Sequence, residues 1–207
     1  MKTNALPPDD AVIAATRAWL EQAVIGLNLC PFAKAVHVKG QVRYVVSAAE
    51  DVETLQAELI EQLRALALAD PAEVDTTLLI HPLLLQDFED FNQFLGLAEE
   101  TVDALGLEGV LQVASFHPRF QFADTEPDDI TNATNRAPYP ILHLLREESI
   151  DRAVEAFPEA ESIYEANIET MRRLGPEGWA ALEKRWTDPD AISGADAAAA
   201  APRSGSS

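Results

Sequence analysis

The sequence predicts an α/β fold: a four-stranded, mostly parallel sheet flanked by helices, with additional helices at the N- and C-terminal ends. Three observations lead there. Long stretches carry apolar residues at helical spacing, and short apolar runs stand between them. Their order is strand, helix, strand, helix, strand, the pattern of right-handed parallel crossovers. The chain has 207 residues, 47% of them hydrophobic. That length suits one domain, and a domain of this size buries roughly 70% of its unfolded surface without needing disulfides or metal. The same element order also allows a thioredoxin-like core.

The elements follow in chain order. Residues 1–8 read as a flexible N-terminus, and a single domain is expected over 9–186. Asp9 or Asp10 can cap a helix in which Val12, Ala15, Trp19, Ala23 and Leu27 share one face. That helix stops at Asn28-Leu29-Cys30-Pro31, because Pro31 biases Cys30 away from helical backbone. Phe32 to Val36 can start a short second helix with Pro31 in its first turn. Val42 to Ser47 reads as a strand. Asp51 to Ala69 reads as a helix with Val52, Leu55, Leu59, Leu63 and Leu66 on one face, ended by Asp70-Pro71. Thr76 to His81 is an apolar strand of the buried type. Asp87 to Leu105 is a helix closed by Gly106, and Gly109 to Phe116 is the third strand.

Regular structure then lapses over 117–140, a stretch rich in Pro, Asp, Asn and Thr. A loop of this length inside a compact domain is commonly functional, and Phe120, Phe122 and Tyr139 argue against disorder. Ile141 to Leu145 is the fourth strand. Helices are expected over Glu148 to Phe157, Glu159 to Leu174 and Pro176 to Trp186. Residues 187–207, made largely of Ala, Gly, Ser, Asp and Pro, read as a disordered tail.

Charge narrows the partners. Fifteen Lys and Arg face 35 Asp and Glu, a formal net charge of −20. Nucleic acid and anionic membrane surfaces are therefore disfavoured. The single cysteine, Cys30, forbids an internal disulfide, and the first residues lack a signal-peptide pattern. A cytoplasmic location is expected. The glycine-rich phosphate loop, the G-x-S-x-G elbow, the C-x-x-C pair and the H-E-x-x-H helix are all missing.

Two strands end alike, in Ile80-His81-Pro82 and Phe116-His117-Pro118. Ligands of open parallel sheets bind beyond the carboxyl ends of the strands. His81 and His117 are thus candidates for acid–base work or for holding a divalent transition metal, although two capping histidines would look the same. Asp124 and the thiol of Cys30 complete the catalytic candidates, the thiol because a helix N-terminus favours thiolate. Arg119, Asn132, Asn135, Arg136, Tyr139 and Arg146 are candidates for substrate binding, since Arg with Asn can clamp a carboxylate or phosphate. Tyr139-Pro140 suits a cis bond. His143, inside the fourth strand with Ile141 and Leu145 on its face, reads as a buried, hydrogen-bonded residue, and His37 as a surface one.

Several of these segments are specific as motifs: Asn28-Leu29-Cys30-Pro31-Phe32-Ala33, Phe116-His117-Pro118 with Gln121-Phe122-Ala123-Asp124, and Asn135-Arg136 through Pro138-Tyr139-Pro140 to Leu142-His143-Leu144-Leu145-Arg146-Glu147. Over roughly residues 10–186 the chain resembles an uncharacterised domain-of-unknown-function family of bacterial and plant proteins. The commoner spelling in that family has Ser where this chain has Ala137, which weakens any role for a hydroxyl there. The resemblance implies a signature, and no activity with it.

Three readings of function remain. The first is a small-molecule enzyme working at the strand-end edge with His81, His117 and Asp124, its substrate held by Asn135 and Arg136. The second is a module that binds a protein or small ligand without catalysis, its histidines and Arg136 holding the loop in shape. The third is a one-cysteine redox protein using Cys30.

Overall fold

A computed structural model describes residues 8–156 and 162–188. The expectations for residues 1–7, for Phe157 to Glu161 and for the tail from residue 189 lie outside the described residues. Helix α1 spans Asp9–Trp19. Asp9 and Asp10 do not cap it as expected. They lie inside its first turn, after Pro8, where their charge complements the positive helix end. The helix runs on through a π-helical turn, Leu20–Ile25, before Asn28 leaves it with a left-handed φ of 55°. The short helix α2 spans Ala33–Val38.

Strands β1 (Val42–Val46), β2 (Thr76–Ile80), β3 (Leu111–Phe116) and β4 (Ile141–Arg146) form one sheet in the order β1-β2-β4-β3. β1 and β2 are parallel, with Tyr44 opposite Leu78. β4 is antiparallel to both its neighbours, with His143 opposite Leu78 on one side and Ala114 on the other. The sheet is therefore mixed, and only one neighbouring pair is parallel. The connections explain this. Helices α3 (Val52–Leu68) and α4 (Phe88–Ala104) are the crossovers between parallel strands. α4 carries the chain past one strand position before β3. The segment 117–140 contains a 3₁₀ helix, Ile130–Asn135, but no α-helix, so the chain returns antiparallel into the vacant place.

Alternation along the strands divides the core. Leu78, Ile80 and Ile141 pack with Trp19, Ala23, Met171 and Trp179 on the side of α1 and of α6 (Ile163–Thr187). Leu79, Leu142 and Leu144 pack with Leu55, Leu59, Phe91 and Phe94 on the side of α3 and α4. The result is helices, sheet, helices in three layers. Helix α5 spans Glu147–Ala156, and α6 is kinked at Gly175 before Pro176. All peptide bonds among the described residues are trans, so Tyr139–Pro140 is not the cis bond its composition suited. No helix among these residues is long and apolar enough to cross a membrane.

Candidate functional site

β2 and β3 run in the same direction, so His81 and His117 leave the sheet at one edge. Ile80 and Phe116 face the α1–α6 layer. Alternation turns the next residues, the two histidines, towards α4. Both rings pack on Phe91, His81 at 5.7 Å and His117 at 5.0 Å between centroids.

Their nitrogens are spent on the loop between β2 and α4. The Nδ1 of His81 lies 3.1 Å from the Leu84 carbonyl and donates to it. The Nδ1 of His117 accepts from the Arg119 amide at 3.0 Å, which leaves its Nε2–H to donate to the Leu85 carbonyl at 3.1 Å. Arg119 Nη2 donates to the Gln86 carbonyl and pairs with Asp87 at 3.3 Å. Three successive carbonyls, those of Leu84, Leu85 and Gln86, are thereby held by three side chains, and Leu85 sits at a φ of 55° that few leucines adopt. Burial pushes the His81 ring down to about 4, with the neighbouring His117 adding to the effect. Burial lowers His117 as well. Both are neutral at pH 7. The Nε2 of His81 is buried and has no hydrogen-bond partner.

The long loop is knitted in the same manner. Asn132, fully buried, accepts at Oδ1 from the Phe122 amide (3.0 Å) and the Thr125 hydroxyl (2.8 Å) and donates to the Glu126 carbonyl (2.8 Å). Asn135 donates to the Ser115 carbonyl at 3.3 Å, and its own carbonyl accepts from the His117 amide at 3.2 Å. Arg136 donates from Nε to the Phe120 carbonyl at 3.4 Å and from Nη2 to the Pro127 carbonyl at 2.7 Å. Its own carbonyl accepts from the Trp19 indole at 2.9 Å. Asp124 is exposed at a left-handed φ of 62°, a turn position away from the histidines' packing. Rings run in contact from Phe91 through His117, Phe88 and Phe120 to Phe122, a spine that fastens the loop to α4.

Three other candidates lie elsewhere. The antiparallel course of β4 carries Arg146 to the opposite edge of the sheet, so it does not reach the histidines. There it donates to the carbonyls of Leu66 (2.6 Å), Ala69 (2.7 Å) and Val74. Cys30 is partly buried in the α1–α6 layer, so the sheet stands between its thiol and the two histidines. Tyr139 is half-buried in that same layer, and burial raises its phenol. His143 faces this layer too. Its Nε2–H donates to the Thr76 hydroxyl at 2.7 Å, which in turn donates to the Leu144 carbonyl, and burial pushes the ring down to about 4. His37 makes a 3.2 Å contact with Glu21.

Where α4 begins, a cleft of about 420 Å³ opens against the long loop. Its walls bring Arg119 and Arg136 together with Asp87, Phe88, Glu89 and Gln121, between Pro118 and Pro127. Asp87, Phe88 and Glu89 escape notice in the sequence because they read only as a helix start, and Gln121 stands out there only as part of a motif. The N-cap role is real: the Glu89 amide donates to Asp87 Oδ1 at 2.9 Å. Among the described residues no group of three or more His, Cys, Asp or Glu side chains could hold a metal ion. His117, with both nitrogens engaged, is a poor ligand.

The comparisons with known proteins add the following. A family model described as protein of unknown function, DUF1415, matches residues 11–181. No curated protein and no solved structure matches the chain.

Proposed function

Since the chain belongs to the DUF1415 family of proteins of unknown function, whose description supplies no activity, we propose from the chain's own residues that it binds a small organic anion in the cleft between α4 and the 117–140 loop. One observation carries this reading. Arg136 is half-buried in the cleft wall, is aimed by two backbone carbonyls, and makes no ion pair among the described residues. A guanidinium drawn out of water is costly, and burial lowers its pKa from the usual value despite the opposing charge of Glu183, which makes no direct ion pair with it. An incoming carboxylate or phosphate supplies a counter-charge in direct contact, and the planar fork can meet it with two parallel hydrogen bonds. The cleft volume falls within the ordinary range for small ligands, roughly 300–1,000 Å³.

In this reading Arg136 is the anchor, with Arg119 and Gln121 beside it. His81, His117, Asn132 and Asn135 are positioning residues: they hold the two loops whose edges form the cleft. That role accounts for the engaged nitrogens of His117 better than acid–base chemistry does. A catalytic reading keeps one atom in its favour, the unpartnered Nε2 of His81.

The test is a titration of isotope-labelled protein with acetate, citrate and inorganic phosphate, followed by NMR. Saturable shifts centred on residues 118–121 and on Arg136 are expected, lost in Arg136→Gln and weakened in Arg136→Lys, which keeps the charge without the fork. The absence of saturable shifts with all three anions overturns the reading. So does undiminished binding in a folded Arg136→Gln protein.

A further inference from the structure

The geometry points to a pairing of two copies of this chain along β1, antiparallel and with a two-fold axis at Tyr44, which joins their sheets edge to edge. No cleft residue lies on this strand, so the inference stands apart from the anion-binding reading. β1 and β3 are the two edges of the sheet. An edge strand offers a row of backbone N–H and C=O groups to any strand that comes alongside, and proteins ordinarily blunt such a row. On β3 the Glu147 amide bonds to the Val110 carbonyl, so alternation turns Leu111, Val113 and Ser115 outward. The chain covers both ends of that row itself. The Leu111 amide donates to the Leu107 carbonyl at 2.9 Å, and Asn135 takes the Ser115 carbonyl and the His117 amide.

β1 has no such cover. The Thr76 amide bonds to the Gln41 carbonyl and the Ser47 amide to the Ile80 carbonyl, so Arg43 and Val45 between them also face β2. Val42, Tyr44 and Val46 therefore turn their amides and carbonyls outward, and among the described residues no hydrogen bond reaches them. A second copy laid antiparallel with Tyr44 opposite Tyr44 sets Val42 opposite Val46, and every outward amide then meets a carbonyl. Arg43, the one charge on the strand, falls opposite Val45, so like charges do not face each other along the ladder. The strand is otherwise Val and Tyr, residue types that pair well across strands. Exposed apolar side chains stand at its start. Val38, 75% exposed, ends α2, and Leu68, 88% exposed, ends α3, whose following turn is tied to the Gln41 side chain through the Pro71 and Ala72 carbonyls.

Charge selects this edge for a meeting of two copies. The protein carries −20, so a face rich in carboxylates repels its like. Residues 22–49, which include α2, β1 and the turn between them, contain no Asp or Glu and hold Lys34, Lys39 and Arg43. Two copies meeting along β1 bring together the part of the chain that adds nothing to the negative charge.

The experiment follows the full chain by analytical ultracentrifugation and by amide hydrogen exchange over a range of protein concentrations. A concentration-dependent dimer is expected. The amides of Val42, Tyr44 and Val46 should gain protection as it forms, while those of Arg43 and Val45, bonded to β2, stay protected throughout. Val42→Pro removes one outward donor from each copy and sets a ring against the partner strand, at the first position of an edge strand, where proline is tolerated. It should weaken dimerisation at least about tenfold, the scale of two lost hydrogen bonds. If that variant does not fold, exchange in the wild-type protein decides alone. A protein that stays monomeric at every concentration overturns the inference and leaves the edge to a strand of another protein. A dimer in which the three outward amides remain unprotected overturns it as well, because the copies then meet elsewhere.

Discussion

Arg136 and Arg146 are both partly buried arginines that end among backbone carbonyls, yet they do different work. Arg146 spends its guanidinium on the carbonyls of Leu66, Ala69 and Val74, the last turn of α3 and the turn after it. Leu66 lies in the last turn of α3 and Ala69 is its C-cap, where carbonyls lack the full set of helical partners. The side chain is thus a C-terminal cap delivered from a distant strand. Arg146→Ala should lower the unfolding free energy by about 2–3 kcal/mol, the scale of hydrogen bonds to a charged group. Arg146→Lys should recover only part of the loss, because an ammonium cannot fork across three acceptors. Urea denaturation of the two variants measures this, and an unchanged midpoint in Arg146→Ala would remove the capping role. Arg136 makes fewer such bonds and stands on a cleft, which is why it, and not Arg146, carries the functional reading.

Among the elements, α6 shows how a local backbone requirement is met by a single residue type. Periodicity predicts two helices meeting near Gly175-Pro176, and the backbone leaves the helical region at Gly175, between two helical halves of α6. Gly175 holds φ 68° and ψ 171°, a conformation that is essentially closed to residues with a Cβ. A Cβ built at Gly175 meets nothing within 4 Å, so the obstacle is backbone strain and not crowding. Gly175→Ala should therefore cost about 1–3 kcal/mol. A thermal midpoint equal to that of the wild type would show that the kink relaxes freely. The loop between β2 and α4 is built on the opposite plan. Its non-glycine residue at positive φ, Leu85, is held by the ring of His117 and flanked by carbonyls held by His81 and Arg119.

At the scale of the whole molecule, the buried histidines make stability depend on pH. His81 and His143 are pushed down to about 4, and His117 is lowered too, in each case chiefly by burial. The unfolded chain protonates these rings near 6.5. Between 6.5 and about 4 the unfolded state therefore binds more protons than the folded one, and stability falls as the pH falls through that window. Above 6.5 both states are neutral and the contribution is flat. The slope is at most about 1.4 kcal/mol per pH unit for each histidine. Urea midpoints should decline steadily from neutral pH towards pH 5, less steeply in His143→Gln. A level profile over that range would contradict the burial of these rings.

Length, periodicity and punctuation were enough to place the helices and strands, because each element must bury one face and its spacing records which. Leu55, Leu59, Leu63 and Leu66 recur at the helical period and are all fully buried on α3. The unbroken apolar run of β2 marks a strand buried throughout. The region proposed to hold the anion was legible as a loop too long and too polar to be a mere connection. What the residues could not declare was direction and partner. Nothing local distinguishes a parallel from an antiparallel β4, since side chains alternate identically in both. Yet that choice sends Arg146 to the far edge and brings Tyr139 and Pro140 to the near one. Nor does a histidine after a strand announce whether its nitrogens meet a ligand or a carbonyl. Sequence determined the elements because burial is periodic along the chain. Tertiary structure decided which charges are neutralised, since ion pairs such as Arg119 with Asp87 join residues far apart in sequence, and among the described residues that left Arg136 in the cleft wall without a direct ion pair.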